Sequence, residues 1–336
     1  MTNTITVGVV GAGRIGKLHV ENMLRMDGVS VKTIADPFAE RAQEWADKLH
    51  IPHLVTDPNE IFSDSEIEVV FICSPTDTHV DLIKRSAAAN KHIFCEKPIS
   101  FSDEETMAAY QAVKEAGVQM QVGFNRRFDQ NYARVKNYVE TGKIGELHIL
   151  RITSRDPEPP TLDYVKSSGG IFMDMTIHDF DMARFVAGEV KEVYATGAAL
   201  VNPDIATVGD IDTALIQLTF ESGALGIIDN SRQAVYGYDQ RIEAFGSKGS
   251  AESANETETR VKFSSNESVS EDQPLHFFLE RYNHAYIDEV QQFFTAIQTD
   301  SAVPCTFEDG IMAQRIAAAA KESLTTGRPV AVKKIQ

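Results

Sequence analysis

Three polar side chains stand at chemically useful spacing inside an otherwise apolar stretch. From Gly169 to Arg184 the chain reads GGIFMDMTIHDFDMAR, placing Asp174, His178 and Asp181 four and three residues apart. On a helix those intervals put all three on one face. A histidine with a carboxylate one turn away is a ready general base, because the carboxylate can fix the imidazole tautomer and favour its protonated form. Gly169-Gly170 permits a tight entry to that helix, and Ile171, Phe172, Met175, Ile177 and Phe180 can pack its other faces. Two other readings use the same atoms. One is a core histidine satisfied by Asp174; the other is a metal site with Asp174, Asp179 or Asp181. No H-x-E-x-H cluster or cysteine pair accompanies them, and catalytic zinc usually needs three protein ligands, so no metal is expected.

The first turn of the chain says what such a base can serve. Gly11-Ala12-Gly13-Arg14-Ile15-Gly16 is G-x-G-x-x-G, directly after the apolar run Ile5 to Val10 and opening a helix. Gly11 permits the tight turn, Gly13 lets the backbone approach a pyrophosphate, and Gly16 allows helix and strand to pack closely. Twenty positions after Gly16, Asp36 ends the second strand. A carboxylate there accepts from the adenine ribose 2′-OH and repels a 2′-phosphate. Pro37 and Phe38 follow with no arginine, which favours NAD over NADP. The bland alternative for Asp36 is a turn or N-cap aspartate. Gly11, Ala12, Gly13, Arg14, Ile15 and Asp36 are therefore the candidate cofactor residues. Ser74, Thr76 and His79 join them after the strand that ends at Cys73, with helix capping and packing as competing roles. Glu96 and Lys97 lie after the strand that ends at Cys95. A lysine at that strand end can hydrogen-bond a substrate oxygen and favour developing alkoxide character there; the stiffening Pro98 follows it.

The elements that must position these groups alternate in period. Strands are expected at Ile5–Val10, Val29–Ala35, Glu68–Cys73, Lys91–Cys95 and Val118–Val122. Helices are expected at Arg14–Met26, Phe38–Leu49, Thr76–Ala89 and Asp103–Ala116. That rhythm predicts an α/β Rossmann domain with a doubly wound parallel sheet over residues 1–122. Beyond it, after a helix at Asn131–Thr141, strand-like segments at Leu147–Ser154, Val190–Leu200, Thr213–Phe220, Ala224–Ser231 and Arg241–Gly246 succeed one another largely without helices. They predict an α+β domain with a mostly antiparallel sheet over residues 123–336. Ser222-Gly223 marks a hairpin turn. Ser247 to Glu271 is polar, with short edge strands, and helices at Tyr282–Thr299 and Phe307–Thr325 close the chain, a segment able to pack back on the first domain. Polar groups gather near strand ends in this second half. Arg126 and Arg127 lie in GFNRRFD, Arg155 and Asp156 precede Pro157, and Tyr236 and Tyr238 lie in VYGYD, where phenols can meet a polyol. Salt bridging and interface packing are their structural alternatives.

Composition excludes other classes. A chain of 336 residues exceeds one ordinary core, and 43% apolar content suits a globular protein. A net charge of −17 disfavours nucleic acid and anionic membranes. No apolar run approaches the roughly 20 residues that span a bilayer. MTNTITVGVVGAG has no charged leader and does not read as a signal peptide. Cys73, Cys95 and Cys305 are odd in number and far apart, which points to buried thiols, no disulfide framework and a reducing, cytoplasmic setting.

VGVVGAGRIGKLH, the Glu96-Lys97-Pro98 triplet, QVGFNRRFD, the Asp174 to Asp181 segment and YGYDQRIEAFGSKGS together resemble the glucose–fructose oxidoreductase and inositol dehydrogenase family over essentially the whole chain. GGIFMDMTIHDFDMAR with SRDPEPP looks most like its inositol 2-dehydrogenases. The resemblance implies an open-faced sheet in the second domain that also serves assembly, usually as a homotetramer. It implies catalysis by Lys97, Asp174 and His178, and substrate contacts from Lys97, Arg127, Asp156, Asp174, His178, Asp181, Tyr236 and Tyr238. The expected reaction is NAD-dependent oxidation of myo-inositol to 2-keto-myo-inositol, with His178 as base. Asp156 departs from the pattern, because some inositol dehydrogenases have asparagine there. Oxidation of scyllo-inositol, another isomer or a pyranose keeps the same machinery. A non-catalytic NAD-binding regulator has no need of the Lys97, Asp174 and His178 set.

Overall fold

The computed structural model describes residues 4–335. β1 (Ile5–Val10) runs into the glycine turn and α1 (Arg14–Met23), followed by β2 (Val29–Ala35), α2 (Gln43–Lys48), β3 (His53–Val55) and α3 (Asn59–Ser63). Then come β4 (Val69–Ile72), α4 (His79–Ala88), β5 (His92–Glu96), α5 (Asp103–Ala116) and β6 (Met120–Gly123). The sheet order is β3-β2-β1-β4-β5-β6, and every neighbouring pair is parallel. This is the doubly wound sheet the alternation predicts. Its order reverses between β1 and β4, so the carboxyl ends of those strands flank the switch point where ligands bind in such sheets.

Two details differ from the sequence reading. The span Phe38 to Leu49 is a 3₁₀ turn (Ala39–Arg41) and then α2, because the Asp36 carboxylate takes the Phe38 amide and holds the chain to the strand end. β3 and α3 carry no clear periodicity: three and five residues are too few to display one.

The second half contains α6 (Gln130–Glu140), β7 (Leu147–Arg155), α7 (Leu162–Ser167), α8 (Ile171–Asp174), α9 (Thr176–Ala187), β8 (Val190–Ala198) and α10 (Asp204–Thr207). It continues with β9 (Thr213–Phe220), β10 (Leu225–Ser231), β11 (Asp239–Gly246), β12 (Gly249–Ser253), β13 (Lys262–Ser264), β14 (Val269–Glu271) and α11 (Phe278–Arg281). The chain closes with α12 (Asn283–Thr299), α13 (Phe307–Thr326) and β15 (Val330–Ala331). The large sheet has the order β12-β11-β7-β10-β9-β8-β15; it is antiparallel except where β7 meets β10. Gly223, at φ +90°, turns the β9–β10 hairpin. Alternation along β9 and β10 buries Ala214, Ile216, Leu218 and Ile228 on one face and leaves Leu215, Leu225 and Ile227 exposed on the other. α9 packs on β7 and β10.

By contacts the chain forms two compact units: Met1–Asn125 with His284–Ile311, and Arg126–Asn283 with Met312–Gln336. In the first, Phe71 stacks on Phe94 at 4.6 Å, and Val290, Phe293 and Phe294 of α12 close the core over them. Phe94→Ala is expected to cost about 3–5 kcal/mol. Urea unfolding checks it as a lower midpoint with an unchanged slope.

Candidate active site

The first unit builds a cradle at the β1 end. A side chain at Gly11, whose φ is +103°, would meet the Cys73 carbonyl at 2.7–2.8 Å, and one at Gly16 would meet the Gly11 oxygen at 2.0 Å. Both glycines are demanded by the fold. Gly13 is different: it is exposed, and nothing lies within 4 Å of where its Cβ would stand. That open space at the N-terminus of α1 fits a pyrophosphate approaching the backbone. Asp36 is fixed beside the turn, with Oδ2 accepting from the Ala12 amide at 2.7 Å and Oδ1 from the Phe38 amide at 2.8 Å. Arg14 is exposed and Ile15 half-buried on the same turn.

The neighbouring strand ends are tied together. Ser74 and Thr78 share a hydrogen bond of 2.6 Å, and Thr76 opens the short 3₁₀ turn between them. His79 is buried, and its ring nitrogens lie 2.9 Å from the carbonyl oxygens of Pro98 and Ser74. It thus links the turn after β4 to the turn after β5. Burial lowers its pKa, and the two carbonyls offset that only in part. Glu96 meets the buried His19 at 2.7 Å, and His19 lies among Phe71, Phe94 and Tyr286. Lys97 follows, half-buried, on a cis bond to Pro98. The sequence reading missed His19; its position three residues after Gly16, on the buried face of α1, is the available signal.

In the second unit the helix expected from Gly169 to Arg184 is interrupted. α8 ends at Asp174, Met175 has φ −97° and ψ −59°, and α9 begins at Thr176. Asp174 and His178 therefore do not sit on one continuous helix, as their spacing predicts. Asp210 anchors the start of α8 from outside the segment: both its carboxylate oxygens accept from the Ile171 amide at 3.1 Å. From Ile171 to Ala183 every residue is buried except Asp174 and His178, which are half-buried. Each of the two candidates thus keeps partial access to solvent while their neighbours lose it. Asp181 is sealed, and Arg127 clamps it through Nε at 2.8 Å and Nη2 at 2.6 Å. Asp179, weighed above as a metal ligand, instead binds Arg126 Nη1 at 2.6 Å and Asn230 Nδ2 at 2.9 Å. Burial raises its carboxyl, with Arg126 and Asn230 opposing. Among the described residues no group of three or more His, Cys, Asp or Glu gathers as a metal cluster.

Asp174 Oδ1 accepts from the Tyr164 phenol at 2.8 Å, and Oδ2 lies 2.8 Å from Arg232 Nη1. Asp156 lies 3.5 Å from the same nitrogen. Burial pushes the Asp156 carboxyl up to about 6; Arg232 opposes the rise and Asp174 adds to it. The candidate tyrosines separate. Tyr236 donates to Asp239 at 2.7 Å and accepts from Arg155 at 3.0 Å, near the surface. Tyr238 is buried, its phenol accepting from Arg126 at 3.4 Å, and burial raises its pKa. Arg232, Tyr164 and Asn230 were not singled out by the sequence. Arg232 and Asn230 flank the end of β10 just before VYGYD, the one clue available.

A glycine cradle at a parallel-sheet switch point, and a second unit whose otherwise buried segment leaves Asp174 and His178 half-buried, fit the nicotinamide-dependent oxidoreductase class. The chain belongs to the GFO/IDH/MocA oxidoreductase family: its NAD-binding Rossmann-fold model matches residues 5–124 and its C-terminal-domain model residues 132–252. An uncharacterized oxidoreductase, YrbE of Bacillus subtilis, is 56% identical over 99% of this chain and 98% of its own. The myo-inositol 2-dehydrogenase of Thermotoga maritima is 46% identical over 98% of this chain and 99% of its own. The structure of scyllo-inositol dehydrogenase from Lactobacillus casei, with bound NAD(H) and scyllo-inositol, superposes with a TM-score of 0.91 at 30% identity, covering 98% and 99% of the two chains.

Two expectations follow. Asp36→Ser removes the ribose acceptor and the charge that repels a 2′-phosphate, so the ratio of kcat/KM for NAD over NADP should fall by about tenfold or more. Initial rates with each coenzyme check it. The raised Asp156 carboxyl means that the folded state holds this proton more tightly than the unfolded chain does. Its stabilisation is full below about pH 4 and lost as pH rises through about 6. Asp156→Asn should therefore gain Tm relative to the parent at about pH 7 and not at about pH 4, read by thermal melts.

Proposed function

We propose that this protein oxidises myo-inositol to 2-keto-myo-inositol with NAD as acceptor. One observation carries the reading: in a segment otherwise sealed from Ile171 to Ala183, only Asp174 and His178 keep solvent access. A helix that merely packed would have no need to leave an imidazole and a carboxylate partly open. NAD, when bound, accepts the hydride from the carbinol carbon. His178 takes the hydroxyl proton as the carbonyl forms, and Asp174 lends its charge to the resulting imidazolium. Lys97 brings a cation to the carboxyl end of β5, suited to favour alkoxide character on the substrate oxygen. Gly11 to Ile15 and Asp36 hold the dinucleotide; Ser74, Thr76, His79 and Glu96 shape the strand ends beside it. Asp156, Tyr236 and Arg127 form the polyol-recognising set; the sealed Asp181 serves it by fixing Arg127, and the buried Tyr238 by its contact with Arg126.

The 46% identity to a protein named myo-inositol 2-dehydrogenase supports this substrate. The likeness to a scyllo-inositol dehydrogenase favours the second reading, in which the same residues oxidise the scyllo isomer. The reading extends to a homotetramer, supported by the exposed apolar residues Leu215, Leu225, Ile227 and Phe245 of the large sheet. It also extends to a cytoplasmic setting, supported by three free thiols.

The test follows NADH absorbance with myo-inositol, scyllo-inositol and glucose, each with NAD and NADP. His178→Ala should lower kcat by roughly 10²–10⁴-fold while leaving NADH binding largely intact. Lost coenzyme affinity with near-normal turnover would defeat the assignment.

A further inference from the structure

Arg232 stands between two carboxylates. Its Nη1 lies 2.8 Å from Asp174 Oδ2 and 3.5 Å from Asp156 Oδ2. Its own side chain is 4% exposed, whereas those of Asp174 and Asp156 keep 12% and 20%. The cation is therefore sealed behind the two anions, and the anions face outward. Both carboxylates share Nη1, while Nη2 is buried and has no hydrogen-bond partner among the described residues.

The backbone holds the trio in register. The Asp156 amide donates to the Ser231 carbonyl at 2.9 Å, and the Arg232 amide to the Asp212 carbonyl at 2.8 Å. Asp212 is itself anchored, its carboxylate accepting the amides of Leu200, Val201 and Asn202 at 2.8–3.0 Å. The parallel pairing of β7 with β10 runs to Arg155 opposite Ser231, so Asp156 and Arg232 leave adjacent strand ends together.

Charge explains why the arrangement needs Arg232. Asp156 faces Asp174, a like charge, together with Arg232 and the more remote Arg126. Asp174 faces Arg232, Asp156 and the Tyr164 phenol; Tyr238 also lies near Asp156, and Asp210 near Arg232. Two half-buried carboxylates side by side without a cation would hold a proton between them. Asp174 would then compete with His178 for the proton leaving the substrate.

We infer that Arg232 is a specificity-determining positioning residue: its single cation bridges Asp156 and Asp174, so that Asp174 stays anionic and Asp156 Oδ1 accepts from a hydroxyl of a neutral polyol. This rests on the proposed dehydrogenase reading and deepens it. An asparagine at 156 offers an amide, which donates as well as accepts and needs no counter-cation. The ionised Asp156 carboxylate accepts only, with its counter-cation sealed behind it, and so selects a substrate whose group at that position is a donor.

The experiment is a mutant cycle read in two ways. With myo-inositol at saturating NAD, Arg232→Met should lower kcat/KM by about 100-fold, because it leaves two carboxylates uncompensated. Adding Asp156→Asn should restore about tenfold of that loss, although Asp156→Asn alone lowers kcat/KM. Arg232→Lys keeps the charge with a shorter reach and should raise KM more than it lowers kcat. A double variant no more active than Arg232→Met overturns the inference, since a merely structural arginine would give no such rescue. The second readout needs no turnover. Arg232→Met should lose more Tm at about pH 8 than at about pH 5, and Asp156→Asn should cancel most of that difference. Equal losses at both pH values overturn the pairing. If the unmodified protein turns over none of the polyols, the dehydrogenase reading falls alone and the melts still decide the pairing.

Discussion

Arg126 and Asp179 meet at 2.6 Å with 5% and 0% of their side chains exposed, and the orientation of His178 follows from that contact. A buried ion pair loses its hydration and persists only where hydrogen bonds satisfy what remains. Here Asn230 completes it: its Nδ2 reaches Asp179 Oδ2 at 2.9 Å while its Oδ1 accepts from Thr176 Oγ1 at 2.6 Å. Thr176 and Asp179 bracket His178 in the chain. One β10 side chain thus pins α9 on both sides of the imidazole, and rotation of the helix would break each of these bonds. The position of His178 is set by buried groups on either side of it.

The same economy extends beneath the pair. Tyr132, Tyr282 and Arg281 form a buried layer in which the two phenols lie 3.3 Å apart and Arg281 pairs with Asp129. Burial raises both phenols, so they stay neutral hydrogen-bonding groups. Asp129 also caps α6 by accepting the Asn131 and Tyr132 amides at 3.0 and 3.1 Å. The short segment Arg126 to Asp129 therefore carries an ion pair to α9, the clamp on Asp181 and the start of α6. That density of function is why GFNRRFD stands out as a motif.

Where local pattern and tertiary demand agree, the sequence was legible. α5 spans Asp103–Ala116 as expected because Ser102 caps it, acids fill its first turn and Gly117 ends it at φ +67°. β1, β2 and β9 follow from unbroken or alternating apolar runs. The glycine turn and Asp36 were legible because each residue type answers a distinct steric or electrostatic need. The break at Met175 was not, because the contacts that hold α8 and α9 separately, Asp210 to Ile171 and Asn230 to Thr176, come from residues distant in sequence. Arg232 was hidden for the same reason: an arginine after a strand looks solvated until the fold brings Asp156 and Asp174 to it. His19 was missed, because its bond to Glu96 depends on β5 lying beside α1.

The three glycines of the first turn answer to different masters. Gly11 and Gly16 are held by the chain's own atoms, which a methyl group would strike at once. Around Gly13 no protein atom stands where a side chain would begin. An alanine could enter there without disturbing a packed neighbour, while the other two would have to stay. Of the three, Gly13 alone lacks a side chain for a reason that lies outside the fold, the close approach of a bound dinucleotide.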